Sequence, residues 1–204
     1  MRGLLTLALG LWGCSSDPTC FVGDLTAQPE IEIVHRTASG TVAITRALVP
    51  LLNPPQGGKV LLVGVRAKNL DGCPLQISAS LRDPCNDRVL ALERRPVSLE
   101  ASPDGWAAPA RPLELDNFSN LPGCPRSDND RPIADQPYLL RVTVTDKEGR
   151  TAEATRMIEP YCGAEPEHAA TCACECRSRF DRGACKTTSE DSGVVPRTCQ
   201  DGGI

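Results

Sequence analysis

Aromatic side chains are scarce in this chain of 204 residues: two tryptophans, two tyrosines and three phenylalanines. Sugar-binding clefts generally need more aromatic platform than that, although acidic residues are numerous enough to leave a glycosidase-type carboxylate pair open. Histidine is scarcer, with only His35 and His168. His35 ends an apolar run beside Arg36 and reads as a packed or surface residue rather than a base. Four lysines stand against eighteen arginines, and the net charge is -4. Without a basic excess to neutralise phosphates, no nucleic-acid partner is expected. No stretch reaches the roughly 20 apolar residues that a membrane-spanning helix requires. The G-x-S-x-G elbow, the H-E-x-x-H helix, the P-loop and the dinucleotide fingerprint are all missing. No nucleophile has an evident partner, so a non-enzymatic protein without a cofactor is expected.

What is present points to strands. Seventeen glycines and eighteen prolines make turns frequent without reaching the level of a disordered chain. Leu75-Gln76-Ile77-Ser78-Ala79-Ser80-Leu81-Arg82 alternates apolar and polar residues without a fault, the period of a half-buried strand. Residues 60–67 are apolar on both parities apart from Gly64 and Arg66, which suits a central strand. Pro54-Pro55-Gln56-Gly57-Gly58 supplies the turn into it. Tyr138-Leu139-Leu140-Arg141-Val142-Thr143-Val144-Thr145 is a second alternating strand, and Asp146-Lys147-Glu148-Gly149 turns the chain into a return strand over 150–158. Gly149 is the residue able to take a positive φ without steric cost. Weaker strands are expected at 31–36, 41–45, 88–94 and 113–115, and 117–136 reads as one long loop around Pro122, Gly123 and Pro125. In that loop, Asp128-Asn129-Asp130 lacks the spacing of an EF-hand calcium loop and reads as exposed and polar. Trp106 is expected to pack in the core or against a loop. Short strands with turn signals at intervals of about 8–14 residues favour a β-sandwich over 30–161, with a β-barrel as the alternative.

The strand, the Asp-x-x-Gly turn and the Thr/Ala-rich return strand resemble the closing hairpin of bacterial immunoglobulin-like and PKD-like modules. The resemblance implies an all-β fold, an immunoglobulin-like antiparallel β-sandwich, and carries no activity with it. A second resemblance lies at the N-terminus. Arg2 followed by nine uncharged residues over 4–12 fits the apolar region of a secretory signal. Leu11-Trp12-Gly13-Cys14 then resembles the lipobox of bacterial lipoprotein signal peptides, with Trp12 departing from the small or β-branched residue usual there. That resemblance implies a signal peptide over 1–13, an acylated Cys14 as the new N-terminus, and a tether over 14–29. By the same resemblance Ser15 directs the protein to the outer membrane, lipid-anchored. The alternative is an ordinary cleaved signal, leaving a secreted or periplasmic chain. The Pro-Pro-Gln-Gly-Gly run also resembles a feature of predicted lipoproteins of Gram-negative bacteria.

Cys14 apart, ten cysteines remain: Cys20, Cys73, Cys85, Cys124, Cys162, Cys172, Cys174, Cys176, Cys185 and Cys199. An even number in an exported chain suits structural disulfides. Six of them fall in 162–199, which holds few large apolar residues and needs cross-links to be ordered. Residues 162–204 therefore read as a cysteine-rich, disulfide-linked tail appended to the sandwich. Cys73 and Cys85 flank the 75–82 strand, about 25 Å apart at roughly 3.3 Å per residue, too far to bond to each other. Counting strands up and down places Cys85, Cys124 and Cys162 at one end, so Cys85–Cys124 is expected, with Cys124–Cys162 as the rival. His168 with Cys172, Cys174 and Cys176 offers four zinc ligands, but C-x-C-x-C is not the C-x₂-C spacing of common zinc modules. No C-x-x-C opens a helix to lower a thiol pKa. The resulting expectation is an exported, lipid-anchored envelope protein acting as a structural or protein-interaction module, held to a membrane and presented to a protein partner. Metal binding or thiol redox chemistry through the C-terminal cysteines is the alternative.

Overall fold

The computed structural model describes residues 21–37, 39–72, 74–110, 115–126, 131–163, 165–177 and 185. Cys14, Cys20, Cys73 and Cys199 lie outside these, as do the Asp128-Asn129-Asp130 loop and most of the strand expected at 113–115. In chain order the strands are β1 (Phe21–Val22), β2 (Glu30–Thr37), β3 (Gly40–Ala43), β4 (Leu48–Pro50), β5 (Lys59–Lys68), β6 (Leu70–Asp71) and β7 (Leu75–Arg82). There follow β8 (Val89–Val97), β9 (Leu99–Ala101), β10 (Ala107–Pro109), β11 (Ser119–Cys124), β12 (Tyr138–Thr145) and β13 (Thr151–Tyr161). A helix α1 (Ala169–Glu175) and two 3₁₀ turns, Leu115–Asn117 and Pro166–His168, complete the described elements.

Two main sheets result. One runs β3-β2-β5-β10-β9, with β11 also paired to β5, and the other runs β4-β13-β12-β7-β8. Strand pairs are antiparallel except β4, which runs parallel to β13. The two alternating segments form β7 and β12 with the ends the pattern indicates, and they pair from Leu139↔Arg82 to Thr145↔Gln76. In β12 the side chains Tyr138, Leu140, Val142 and Val144 are buried, while Leu139, Arg141, Thr143 and Thr145 are half-exposed. One buried cluster joins Ile33, Val63 and Val65 of the first sheet to Ile77, Leu140 and Val142 of the second. Burying each such aliphatic side chain contributes about 1.5–3 kcal/mol against chain entropy. The Asp146–Gly149 turn forms as its residues require: Gly149 takes φ +80° and its N–H donates to the Asp146 carbonyl at 3.0 Å.

Strand β5 is covered on both faces, as its unbroken apolar run indicates. Leu61, Val63 and Val65 face the main core. Val60 and Leu62 point the other way, into a smaller cluster with Val34, Leu52 and Phe118. Gly64 is what lets Phe118 lie over the strand, since a Cβ there would sit 3.0 Å from the Phe118 ring. The Pro54–Gly58 turn feeds β5, with Gly57 donating to the Pro54 carbonyl at 2.9 Å.

Four expectations need correction. The 117–136 segment is not one loop, because Ser119–Cys124 is a strand on β5. Pro122 and Gly123 imitate a turn in sequence, yet Pro122 sits at a bulge where the register slips before Cys124. Gly123 meets the strand so closely that a Cβ would be 2.8 Å from Leu51 and 3.1 Å from the Lys59 carbonyl. Leu115, expected at a strand end, lies in a 3₁₀ turn, where its side chain packs on the smaller cluster. The C-terminal segment is not merely appended: Cys172 and Cys176 of its helix region are buried within the main core cluster. Part of the expected tether is also held down. Phe21–Val22 pairs with Leu70–Asp71, and the Asn69 side chain accepts from Asp24 N–H at 2.9 Å and donates to the Gln28 carbonyl at 2.8 Å.

Candidate functional site

The candidate site lies where the start of β5, the end of β11 and helix α1 meet. The tight approach at Gly123 brings Cys124 opposite Lys59 in the strand register. Residues 169–175 read Ala-Ala-Thr-Cys-Ala-Cys-Glu, and alanine is the best helix former, which accounts for a short helix there. Cys172 and Cys176 are one helical turn apart and so share a face. Both are buried against the core, whereas Cys174, on another face, is half-exposed.

Three bridges are formed among the described residues. Cys124 bonds to Cys176, Cys162 to Cys172 and Cys174 to Cys185, with Cα–Cα distances of 5.0, 5.6 and 5.7 Å. Cys85 is disulfide-bonded as well. Neither expected partner for Cys124 is right: its bond goes to Cys176, 52 residues away. Strand counting placed Cys124 and Cys162 at one end, but it had no knowledge of a helix that would bring two more thiols to the same spot. The first two bridges are neighbours, with Cys172 Sγ and Cys176 Sγ 3.8 Å apart. The Sγ atoms of Cys162, Cys172 and Cys176 all lie within 4.8 Å of one another. His168 is exposed and does not belong to that group, and Cys174 is engaged with Cys185. The zinc set His168, Cys172, Cys174 and Cys176 is therefore not the set that the fold gathers. The one available signal was the i, i+4 spacing of Cys172 and Cys176, masked in the sequence by the more conspicuous C-x-C-x-C.

A buried ion pair ties the same helix to the strand. Lys59 is 5% exposed and its Nζ lies 2.8 Å from Glu175 Oε2. Beside it, Asn53 Nδ2 donates to Glu165 Oε2 at 2.9 Å. Asn53 and Glu165 form part of the rim of a cleft of about 140 Å³ on the outer face of the first sheet. Leu52, Val60 and Leu62 make its apolar floor, Leu115 and the Pro54-Pro55 turn its walls, and Arg36 adds a cation to the rim. Sequence reading did not find this cleft, because its lining is gathered from β2, residues 52–55, β5, Leu115 and Glu165, which are distant along the chain.

Other singled-out residues lie elsewhere. His35 is buried in β2, its Nδ1 has no hydrogen-bond partner, and burial holds its pKa below the usual imidazole value. Trp106 is half-exposed under two cations, with the Arg66 guanidinium 5.2 Å and the Lys68 ammonium 5.0 Å from its ring centre. No helix of the described residues is long and apolar enough to cross a membrane. The molecule is thus defined as a β-rich protein of two main sheets with a disulfide-linked C-terminal segment beside an apolar cleft. No protein-family model, curated protein or solved structure matches the chain.

Proposed function

We propose that the chain is an exported, lipid-anchored cell-envelope protein whose immunoglobulin-like β-sandwich serves as a protein-interaction module rather than as an enzyme. The anchoring part rests on the lipobox-like Leu11-Trp12-Gly13-Cys14, whose resemblance implies acylation of Cys14 and, through Ser15, attachment at the outer membrane. Strand order supports the fold. The neighbours β2-β5-β11 in one sheet and β13-β12-β7-β8 in the other match the A-B-E and G-F-C-C′ relations of immunoglobulin domains. Tyr138 adds to this: it opens β12, the F position, and its hydroxyl donates at 2.7 Å to the carbonyl of Pro132 upstream, as in the tyrosine corner of that fold.

One observation carries the interaction reading, namely the apolar cleft with Arg36, Asn53 and Glu165 on its rim. An apolar floor with a few polar rim groups suits an apolar side chain, or a short extended segment, of a partner protein. Two or three acyl chains would hold the module stably at the membrane, raising its effective concentration for such a partner.

The test has two arms. Labelling cells with a fatty-acid precursor should mark the wild-type chain and leave Cys14→Ala unmarked; equal labelling of both defeats the anchor. A photoreactive residue at Pro55, on the cleft, should give one defined protein adduct that a photoreactive residue at Lys147, on the β12–β13 turn, does not give. The same adducts from both positions, or none from Pro55, would overturn the cleft as the binding surface.

A further inference from the structure

We propose that, once its two neighbouring bridges are reduced, the sulfur cluster of Cys124, Cys162, Cys172 and Cys176 binds one zinc ion through four thiolates. This inference is independent of the interaction reading. The four sulfurs come from three places in the fold: the end of β11, the exit from β13 and one face of the helix region. Tetrahedral zinc with Zn–S bonds of about 2.3 Å sets its sulfurs about 3.8 Å apart. Cys172 Sγ and Cys176 Sγ are already 3.8 Å apart, and Cys162 Sγ lies within 4.8 Å of both. Cys124 Sγ is bonded to Cys176 Sγ, so opening that bridge frees it at the remaining corner. Cys124, Cys172 and Cys176 are 6%, 3% and 1% exposed, which matches the closed character of structural zinc sites. Four thiolates around Zn²⁺ leave two negative charges, the charge state of the Cys₄ class of structural zinc sites.

The chemistry balances with a named reductant. Each bridge is opened by one trialkylphosphine, which is oxidised to its phosphine oxide while water supplies the oxygen and the two thiol protons. Zinc binding then releases four protons from the four thiols. A small disulfide oxidant, two molecules per site and each reduced to two thiols with protons from solvent, restores the two bridges and expels the metal, so bridge and metal are alternative occupants of one site.

The experiment uses the full chain, reduced with phosphine without oxygen, mixed with excess Zn²⁺ or Co²⁺ and desalted. Expected are about one zinc per chain and, with cobalt, the visible bands of tetrahedral thiolate coordination. Cys172→Ser should abolish retention, whereas Cys174→Ser should keep the full equivalent. Retention far below one equivalent overturns the proposal, whether or not the β12 amides stay protected from exchange. So does an equal loss from Cys174→Ser, which would mark loose chelation by the C-terminal cysteines at large.

Discussion

The paired sheets and the C-terminal segment reach order by different physical means. Between the sheets, alternate side chains of β7 and β12 interdigitate with those of β2 and β5, and stability comes from many apolar contacts of modest size. The segment after β13 contributes few large apolar groups. It is held by the Cys124–Cys176 and Cys162–Cys172 bridges, the Lys59–Glu175 ion pair and single backbone bonds such as Ile133 N–H to the Cys176 carbonyl at 2.9 Å. A region that cannot build its own core can still be ordered if a few strong links tie it to one that can. The cost is that the order of this segment depends on redox state.

The largest break in this comparison should come from the sheets. Tyr138 is fully buried, donates its hydroxyl to Pro132 and carries the Arg131 guanidinium 5.2 Å from its ring centre. Tyr138→Ala is expected to cost about 3–5 kcal/mol in urea unfolding, with the C-terminal segment lost in the same transition. Next is the joint replacement Cys124→Ala with Cys176→Ala, which opens a link spanning 52 residues. A loss of about 2–4 kcal/mol is expected, concentrated in helix α1 when followed by hydrogen exchange. Equal loss of protection in β7 and β12 would show that the segment is integral to the core rather than fastened to it.

A smaller effect attends the ion pair. Lys59→Met leaves the Glu175 carboxylate, 23% exposed, without its cation, and about 1–3 kcal/mol is expected after allowing for solvent screening. Adding Glu175→Gln should restore most of it, so a double-mutant cycle reads the coupling directly. The smallest effect is pH-dependent. Burial lowers the pKa of His35 in the folded chain, so the folded state stays neutral where the unfolded imidazole takes up a proton, near pH 6.5. Stability should therefore be full above about pH 6.5, fall as the pH drops below it, and level off beneath the folded-state pKa. His35→Gln should lack that slope, and an unchanged profile in the variant would assign the slope to another group.

Legibility in the sequence followed how local each cause was. The alternation at 75–82 and 138–145 named both strands to the residue, because a half-buried strand writes its period of two directly into its side chains. The double apolar run of β5 likewise announced a strand covered on both faces. Strand β11 stayed hidden because Pro122 and Gly123 look like turn residues unless the bulge and the close approach to Leu51 are known. Helix α1 stayed hidden behind three closely spaced cysteines whose partners lie elsewhere.

By itself, then, the chain's residue pattern determined a β-rich body, its central strand, its main hairpin and a C-terminal segment in need of cross-links. Which sulfur meets which was decided only in three dimensions, since a disulfide answers to Cα atoms about 5–6 Å apart and not to spacing along the chain. The cleft belongs to the same category: its lining comes together from residues as far apart in the chain as Arg36, Val60, Leu115 and Glu165.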